Sequence, residues 1–389
     1  MKPKLIKITT VPVSLYKLLR GQLAFMNRYF EVTGITSRGR YFEDITIQEG
    51  VPVLEVQMKR NIALLSDIKA VYKLIKIFKK ENPHIVHTHT PKAGLLGMVA
   101  AKITHVPNRL HTVAGLPLVE SKGLKRLILI LAEQITSFCA TKVYPNSIAL
   151  MQLMINQKLC AKEKMKVIGN GSSNGIDVHY FNPPCVSSQQ IYAIKSQYAI
   201  SEDDFVYCFI GRIVKSKGIN ELIKAFDEIS KTEQFVKLLL VGDEEPDLDP
   251  ISKISKDIIK SNSKIISVGI QQDVRPFLKV SHLFVLPSYR EGFPNVVLQA
   301  SAMGLPSIVS DINGCNEIIR NDYNGVIIPA KNTEKLKNAM MKLYKERDLL
   351  NLMAQRARIV VVNNYEREYL WNCLLFEYQK CTNVDGVLV

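Results

Sequence analysis

Short apolar runs rich in Val, Ile, Leu and Phe alternate with longer amphipathic stretches along this chain, and the alternation starts again in its second half. A continuous apolar run of four to six residues reads as a strand buried on both faces, which requires helices above and below the sheet. Parallel neighbours need a crossover between them, so the pattern predicts βαβ units. In the first half the predicted strands are residues 5–9, 30–36, 53–56, 84–87, 109–113 and 142–145, with 166–168 as a further candidate. The second half gives 205–210, 236–241, 265–268, 283–286, 307–310 and 325–328. The expected fold class is α/β, with two Rossmann-like doubly wound domains facing each other across a cleft. Ligands bind such domains at the carboxyl ends of the strands. A chain of 389 residues exceeds one ordinary core, in keeping with two domains. Asn182-Pro183-Pro184 and the Ser-Ser-Gln-Gln at 187–190 read as the segment between them. The expected boundaries are 1–182, 191–364 and a terminal segment 365–389 whose helix could pack back on the first domain.

The formal charge of +15 is confined to one part of the chain. Residues 1–185 carry 26 Lys/Arg against 11 Asp/Glu, whereas residues 186–389 carry 25 of each. Such a split points to an anionic surface facing the first domain. No nucleic-acid motif accompanies it, so nucleic acid is not the expected partner and an anionic membrane surface is. Amphipathic stretches at 15–28, 67–80 (with Lys69, Lys73, Lys76, Lys79 and Lys80) and 122–131 are the candidate contacts. Each also reads as an ordinary helix with its apolar side in the core. The most apolar stretch, 124–140, is too short and too charged to span a bilayer. No signal peptide is visible at the start, and the seven cysteines lack CxxC spacing, which favours a reducing compartment without disulfides or a zinc site. The expected location is cytoplasmic, peripheral on the inner membrane.

Residues 287–306, PSYREGFPNVVLQASAMGLP, combine a strand end, a turn and a helix closed by Gly304 and Pro306. Pro294 suits the first helical position, and the N–H groups near Asn295 and Val296 would favour a phosphate. Glu291 lies in the loop before the helix, and Asn295 and Gln299 share a helix face. A second constellation, Gly211-Arg212-Ile213-Val214-Lys215-Ser216-Lys217-Gly218, places cations between two glycines after a strand, where backbone can approach a diphosphate. It is neither a Walker A loop nor a GxGxxG fingerprint.

Arg212…Lys217-Gly218, Glu291-Gly292-Phe293-Pro294-Asn295 and Gly304-Leu305-Pro306 resemble the retaining glycosyltransferases of the GT-B fold, family 4. The segments 87–94, 111–115 and 170–177 are similar to bacterial capsule and O-antigen enzymes, which act on undecaprenyl-diphosphate-linked acceptors. The resemblance implies that Arg212 and Lys217 hold the donor diphosphate. Glu291 would meet the transferred sugar, with Gly211, Gly292, Phe293, Pro294, Asn295 and Val296 completing the donor site. Position 299 would meet the ribose, and His111 would orient the attack from the first domain. His87, His89 and Lys92 are the acceptor-side candidates. The co-substrate would be a nucleotide-diphosphate sugar, UDP by subgroup, with no other cofactor and no metal. One departure stands out: the family's second Glu of an E-x7-E pattern is Gln299 here, which predicts weaker nucleotide binding rather than lost catalysis. Residues 9–14 also lack the Gly-Gly of many relatives. His87 and His89 point to one strand face without a third metal ligand beside them, and Asp247-Leu248-Asp249 matches a DxD pattern that belongs to another fold. Two other readings stay open: a nucleotide-sugar 2-epimerase of similar fold, and a non-catalytic nucleotide-sugar-binding subunit.

Overall fold

The computed structural model describes residues 2–59, 61, 63–119, 121–245 and 249–382. Two six-stranded parallel sheets are present. The first contains β1 (Lys4–Ile8), β2 (Glu31–Thr36), β3 (Val53–Glu55), β4 (Ile85–His89), β5 (Asn108–Val113) and β6 (Lys142–Pro145) in the order β3-β2-β1-β4-β5-β6. The second contains β7 (Phe205–Ile210), β8 (Val236–Val241), β9 (Ile265–Gly269), β10 (Leu283–Leu286), β11 (Ser307–Ser310) and β12 (Gly325–Ile328) in the order β12-β11-β10-β7-β8-β9. Residues 166–168 form no strand; Met165 only bridges to Val143. The chain divides into one unit of Met1–Gly175 with Arg367–Val389 and another of Ile176–Glu366.

In the first unit the strand period of two sorts side chains onto the two faces of the sheet. Ile6, Ile8 and Val86 join a core beneath the crossover helices, while Leu5, Val32, Ile85 and Leu110 join a second core on the other face. The C-terminal helix Arg367–Thr382 closes that second core with Leu370, Trp371, Leu374, Leu375 and Tyr378. Trp371 donates its indole N–H to Asn174 Oδ1 (2.7 Å), which also accepts from Gln22 Nε2 (2.9 Å). The stretch 15–28 belongs to the same core. Leu15, Leu19, Leu23, Phe25 and Met26 are all buried, so its apolar side is occupied by the core.

The division of the chain falls at Gly175 and Ile176, ahead of the Pro-rich segment. Ile176 donates its N–H to Tyr365 O (2.9 Å), and Val178, Phe181 and Val186 are buried in the second unit's core. Arg358 ties the segment down by donating to the carbonyls of Phe181 (2.8 Å) and Val178 (3.0 Å). The polar run at 187–190 is a capping box: Ser187 Oγ accepts from Gln190 N, and Gln190 Oε1 accepts from Ser187 N, opening the helix Ser188–Gln197. Polar composition here marks a helix start rather than a linker.

Candidate functional site

In the second sheet, β8 and β9 lie to one side of β7 and β10 to the other. Crossovers leaving β7 and β10 therefore diverge, and a crevice opens between their carboxyl ends, the usual ligand position in doubly wound sheets. Both sequence constellations start there. The loop after β7 carries Gly211, Arg212 and Lys217, and the loop after β10 carries residues 287–294. Tyr289 N–H donates to Ser216 O (2.9 Å) and joins the two loops. Gly218 has φ +71°, and a Cβ there would lie 2.0 Å from Pro287 O, so no other residue allows this approach.

Lys217 Nζ reaches Glu291 Oε1 at 2.5 Å, and Ser288 Oγ donates to the same oxygen at 2.8 Å. The Lys217 and Glu291 side chains are only 19% and 13% exposed. Screening at that depth is weak, and each charge needs a partner. Both bonds end on Oε1, so Oε2 remains able to accept a further hydrogen bond. Arg212 lies further out, half exposed, and donates to Glu245 Oε2 at 2.6 Å. Both cations offer charge-assisted N–H donors of the kind an anionic ligand can engage. The short turn Lys215–Lys217 is held by Asp249, whose Oδ2 accepts from Ser216 N–H at 2.9 Å and whose carbonyl accepts from Lys215 N–H at 3.2 Å. Of the DxD pattern, Asp247 and Leu248 lie outside the described residues. Among the described residues no group of three or more His, Cys, Asp or Glu is arranged to hold a metal ion.

The helix Asn295–Ala302 begins one residue later than the sequence suggests, with Pro294 extended (φ −78°, ψ 98°) as its N-cap. Val297 and Leu298 N–H groups turn back to Pro294 O, while those of Asn295 and Val296 belong to the first turn, which has no intrahelical acceptor. The helix ends in a Schellman motif: Leu305 N–H donates to Ala300 O and Gly304 N–H to Ser301 O, both at 2.9 Å. Asn295 and Gln299 are half-buried, and Phe293 is buried against Tyr365 with ring centroids 5.4 Å apart. A third loop, after β11, closes on the same turn. At Gly314 (φ +75°) a Cβ would lie 2.4 Å from Gly292 O. Ser288 and Gly314 are site residues that motif reasoning missed. The Asn-Gly pair at 313–314, two residues beyond the end of a strand, was the available signal for the second.

The first unit has its own switch point between β1 and β4. Thr10 and Thr90 hydroxyls bond there at 2.7 Å and hold Thr90 at φ +74°, ψ 143°, a conformation that costs a non-glycine residue about 1–3 kcal/mol. The helix Pro91–Ile103 starts on the next residue. Lys92 Nζ pairs with Asp67 Oδ2 at 2.6 Å, both side chains largely buried. His87 and His89 share a face and stack with centroids 4.3 Å apart, facing the C-terminal helix. His87 is engaged on both ring nitrogens, by Tyr378 OH (2.5 Å) and Thr112 Oγ1 (2.8 Å), which makes it part of the core. His89 is different. Both of its ring nitrogens, with Tyr144 OH, Asn146 Oδ1 and Ser173 Oγ, are buried without a hydrogen-bond partner among the described residues. His89, Tyr144, Asn146 and Ser173 line one cavity, bounded on its apolar side by Leu370 and Leu374.

His111 lies on the opposite face, over Gly94, where a Cβ would come within 2.4 Å of its ring. Thr88 Oγ1 engages Nδ1 at 2.8 Å, so Nε2 is the ring atom left to meet a ligand. Burial lowers its pKa to about 4, partly offset by a hydrogen bond to Thr88. Burial likewise holds His87 and His89 well below the usual histidine range, with neighbouring Lys7 adding to the effect. All three imidazoles are neutral at pH 7 and can bond hydroxyls but supply no charge to a phosphate. Lys7, donating to Gln22 Oε1, is lowered to about 7 by burial against the pull of Glu49.

Two family models match the chain: a glycosyl transferase 4-like model over residues 16–147 and a glycosyl transferases group 1 model over residues 190–360. The capsular polysaccharide biosynthesis glycosyltransferase CapM of Staphylococcus aureus is 34% identical over 95% of this chain and 94% of its own length. A UDP-Gal:α-D-GlcNAc-diphosphoundecaprenol α-1,3-galactosyltransferase of Escherichia coli is 29% identical over 94% of this chain and 91% of its own. Among solved structures, Anabaena HepE in complex with UDP and glucose superposes with a TM-score of 0.83 at 18% identity, covering 97% of this chain and all of that one. The last likeness speaks for the fold, and the CapM match carries the family: the chain belongs to the group 1 glycosyltransferases, with their two-domain GT-B α/β architecture.

Proposed function

We propose that this glycosyltransferase moves a hexose or N-acetylhexosamine from a UDP-sugar onto a lipid-linked saccharide, with retention of anomeric configuration, in the assembly of a bacterial surface polysaccharide. The observation that carries the reading is the Lys217–Glu291–Ser288 cluster at the β7/β10 switch point, beside the helix start at Asn295. In the transfer, the anomeric C–O bond to the diphosphate breaks and a bond to an acceptor oxygen forms. The acceptor's proton passes to the departing phosphate oxygen on the same face, and the products are a nucleoside diphosphate and the extended saccharide. Lys217 and Arg212 stabilise the charge that grows on the leaving diphosphate, work that a metal ion performs elsewhere. Glu291 accepts hydrogen bonds from the sugar through Oε2, and Gln299 bonds one ribose hydroxyl. Within the first unit, His111 keeps Nε2 available as a neutral hydrogen-bonding atom.

The lipid-linked acceptor is supported by the relatives, one named for a diphosphoundecaprenol substrate and another for capsule biosynthesis. UDP is supported by the same galactosyltransferase's name. The enzyme acts at the cytoplasmic face of the inner membrane, where such acceptors are presented.

Mixing the protein with a panel of UDP- and GDP-sugars and an undecaprenyl-diphosphate sugar, with EDTA present, tests this reading. Transfer from one UDP-sugar is the expected result, and Glu291→Ala should lower it by about a hundredfold or more, the scale of losing one charged transition-state contact. Acceptor-independent isomerisation of the donor, or full activity in Glu291→Ala, would overturn it.

A further inference from the structure

One cavity of the first unit gathers polar atoms that the fold leaves unpaired. His89 ends β4, Tyr144 lies one residue before the end of β6, and Asn146 follows that strand. The sheet order sets β4, β5 and β6 side by side, so these residues share the carboxyl end, where doubly wound sheets bind ligands. His89, Tyr144 and Asn146 are 2%, 2% and 4% exposed. Both ring nitrogens of His89, Tyr144 OH, Asn146 Oδ1 and Ser173 Oγ have no hydrogen-bond partner among the described residues. Buried polar atoms are almost always bonded, so five around one cavity call for a polar occupant. His87 makes the contrast: on the same strand face, it is bonded through both ring nitrogens.

The lining selects what that occupant is. Among the described residues no charged side chain borders the cavity, and burial keeps His89 neutral, so nothing there balances a phosphate or a carboxylate. Asn146 Nδ2 donates to Ala114 O (3.5 Å), which leaves Oδ1, an acceptor only, for the cavity. The Tyr144 and Ser173 hydroxyls can each donate, and Leu370 and Leu374 supply an apolar wall. The turn that presents Ser173 is fixed. Ser172 holds φ +72°, donates its N–H to Asn146 O (2.7 Å) and accepts from Gly175 N–H through Oγ (3.0 Å). The space suits roughly one or two waters, too little for a sugar ring and enough for the tip of one ring substituent. An N-acetyl group matches this set: its N–H meets Asn146 Oδ1, its carbonyl the two hydroxyls, and its methyl the leucines. A hydroxyl alone satisfies fewer of these atoms and leaves the leucines unused.

We propose that this cavity is a subsite for the N-acetyl group of a 2-acetamido sugar, borne by the saccharide acceptor. That the sugar belongs to the acceptor rests on the function proposed above; the amide-binding chemistry of the cavity does not. Ser173 is the partly exposed member of the set, so the acetamido arm enters past the turn at residues 172–173.

Calorimetric titration of the full chain with short-chain lipid-diphosphate sugars tests the proposal. The probes form two matched pairs, N-acetylglucosamine against glucose and N-acetylgalactosamine against galactose. In at least one pair the wild-type protein should bind the acetamido member roughly tenfold or more tightly, the scale of two neutral hydrogen bonds and a methyl contact. Ser173→Ala and Tyr144→Phe should each cut that preference several-fold, while UDP affinity, which reports on the second unit, stays at the wild-type value. Ser173 is partly exposed, so its variant keeps the test open should Tyr144→Phe not fold. Equal affinity within both pairs would overturn the proposal and assign the cavity to water alone. A preference that both variants retain in full would overturn it as well. Acetamido-selective binding without any glycosyl transfer would support the subsite and remove the functional reading; transfer without that selectivity would do the reverse.

Discussion

Gln299 is the residue at which this chain parts from the family pattern, and its position makes the consequence measurable. It sits half-buried one helical turn beyond Asn295, on the helix whose start faces the proposed phosphate position. A neutral amide has one acceptor oxygen and contributes about 1 kcal/mol through it, against roughly 1.5–3 kcal/mol for a carboxylate. Gln299→Glu should therefore tighten UDP binding several-fold and Gln299→Ala weaken it several-fold, with kcat little altered in either. Calorimetric titration with UDP checks this, and equal affinity in all three proteins would remove position 299 from the ribose site. The motif residues Lys217 and Glu291 were legible because charged residues beside glycines at strand ends have few structural uses. Their direct contact was not, because it depends on β10 returning beside β7, and strand order leaves no local mark on a sequence. His87 shows the reverse limit: it is a polar residue near a strand end, yet Tyr378 and Thr112 engage both of its ring nitrogens within the core.

Among the elements, strands were the easiest to read, since fully buried parallel strands are continuous apolar runs. All twelve strands among the described residues correspond to predicted runs, while 166–168, only three residues long and itself beginning with Lys166, does not form one. Amphipathic stretches were harder, because periodicity reports that a helix has two faces and not which face points inward. Residues 15–28 turn their apolar side into the core; Gly123–Cys139 turns it out. Glu133 records the cost of the second arrangement. Burial raises its pKa from 4.5 to about 7, so the folded state holds this proton more tightly than the unfolded chain does. The stability it contributes is present below pH 4.5 and is lost as the pH rises through 7. Glu133→Gln should consequently stabilise the protein at pH 8, by on the order of 3 kcal/mol, and have little effect at pH 4. Thermal unfolding of both proteins at the two pH values checks the sign, and a destabilised variant at pH 8 would mean that the carboxylate has a partner there.

At the scale of the molecule, two doubly wound units were legible from the restart of the strand–helix alternation, but their boundary was not. The Asn-Pro-Pro and Ser-Ser-Gln-Gln signals describe local turns and a capping box, and tertiary packing of Ile176, Val178 and Phe181 places that stretch in the second unit. The C-terminal helix returns to the first unit through Trp371 and Tyr378, a pairing between residues far apart in sequence. The charge follows the same division: the basic excess lies with the first unit's residues, and the pairing of Lys217 with Glu291 lies in the neutral second half. In the proposed reaction this second unit holds the donor's diphosphate at the β7/β10 switch point. Calorimetric titration of UDP into wild-type, Lys217→Ala and Lys92→Ala proteins tests it most directly. Lys217→Ala should bind roughly ten- to a hundredfold more weakly, the loss of one charge-assisted contact, and Lys92→Ala should match the wild type. Unchanged UDP affinity in Lys217→Ala would contradict the assignment.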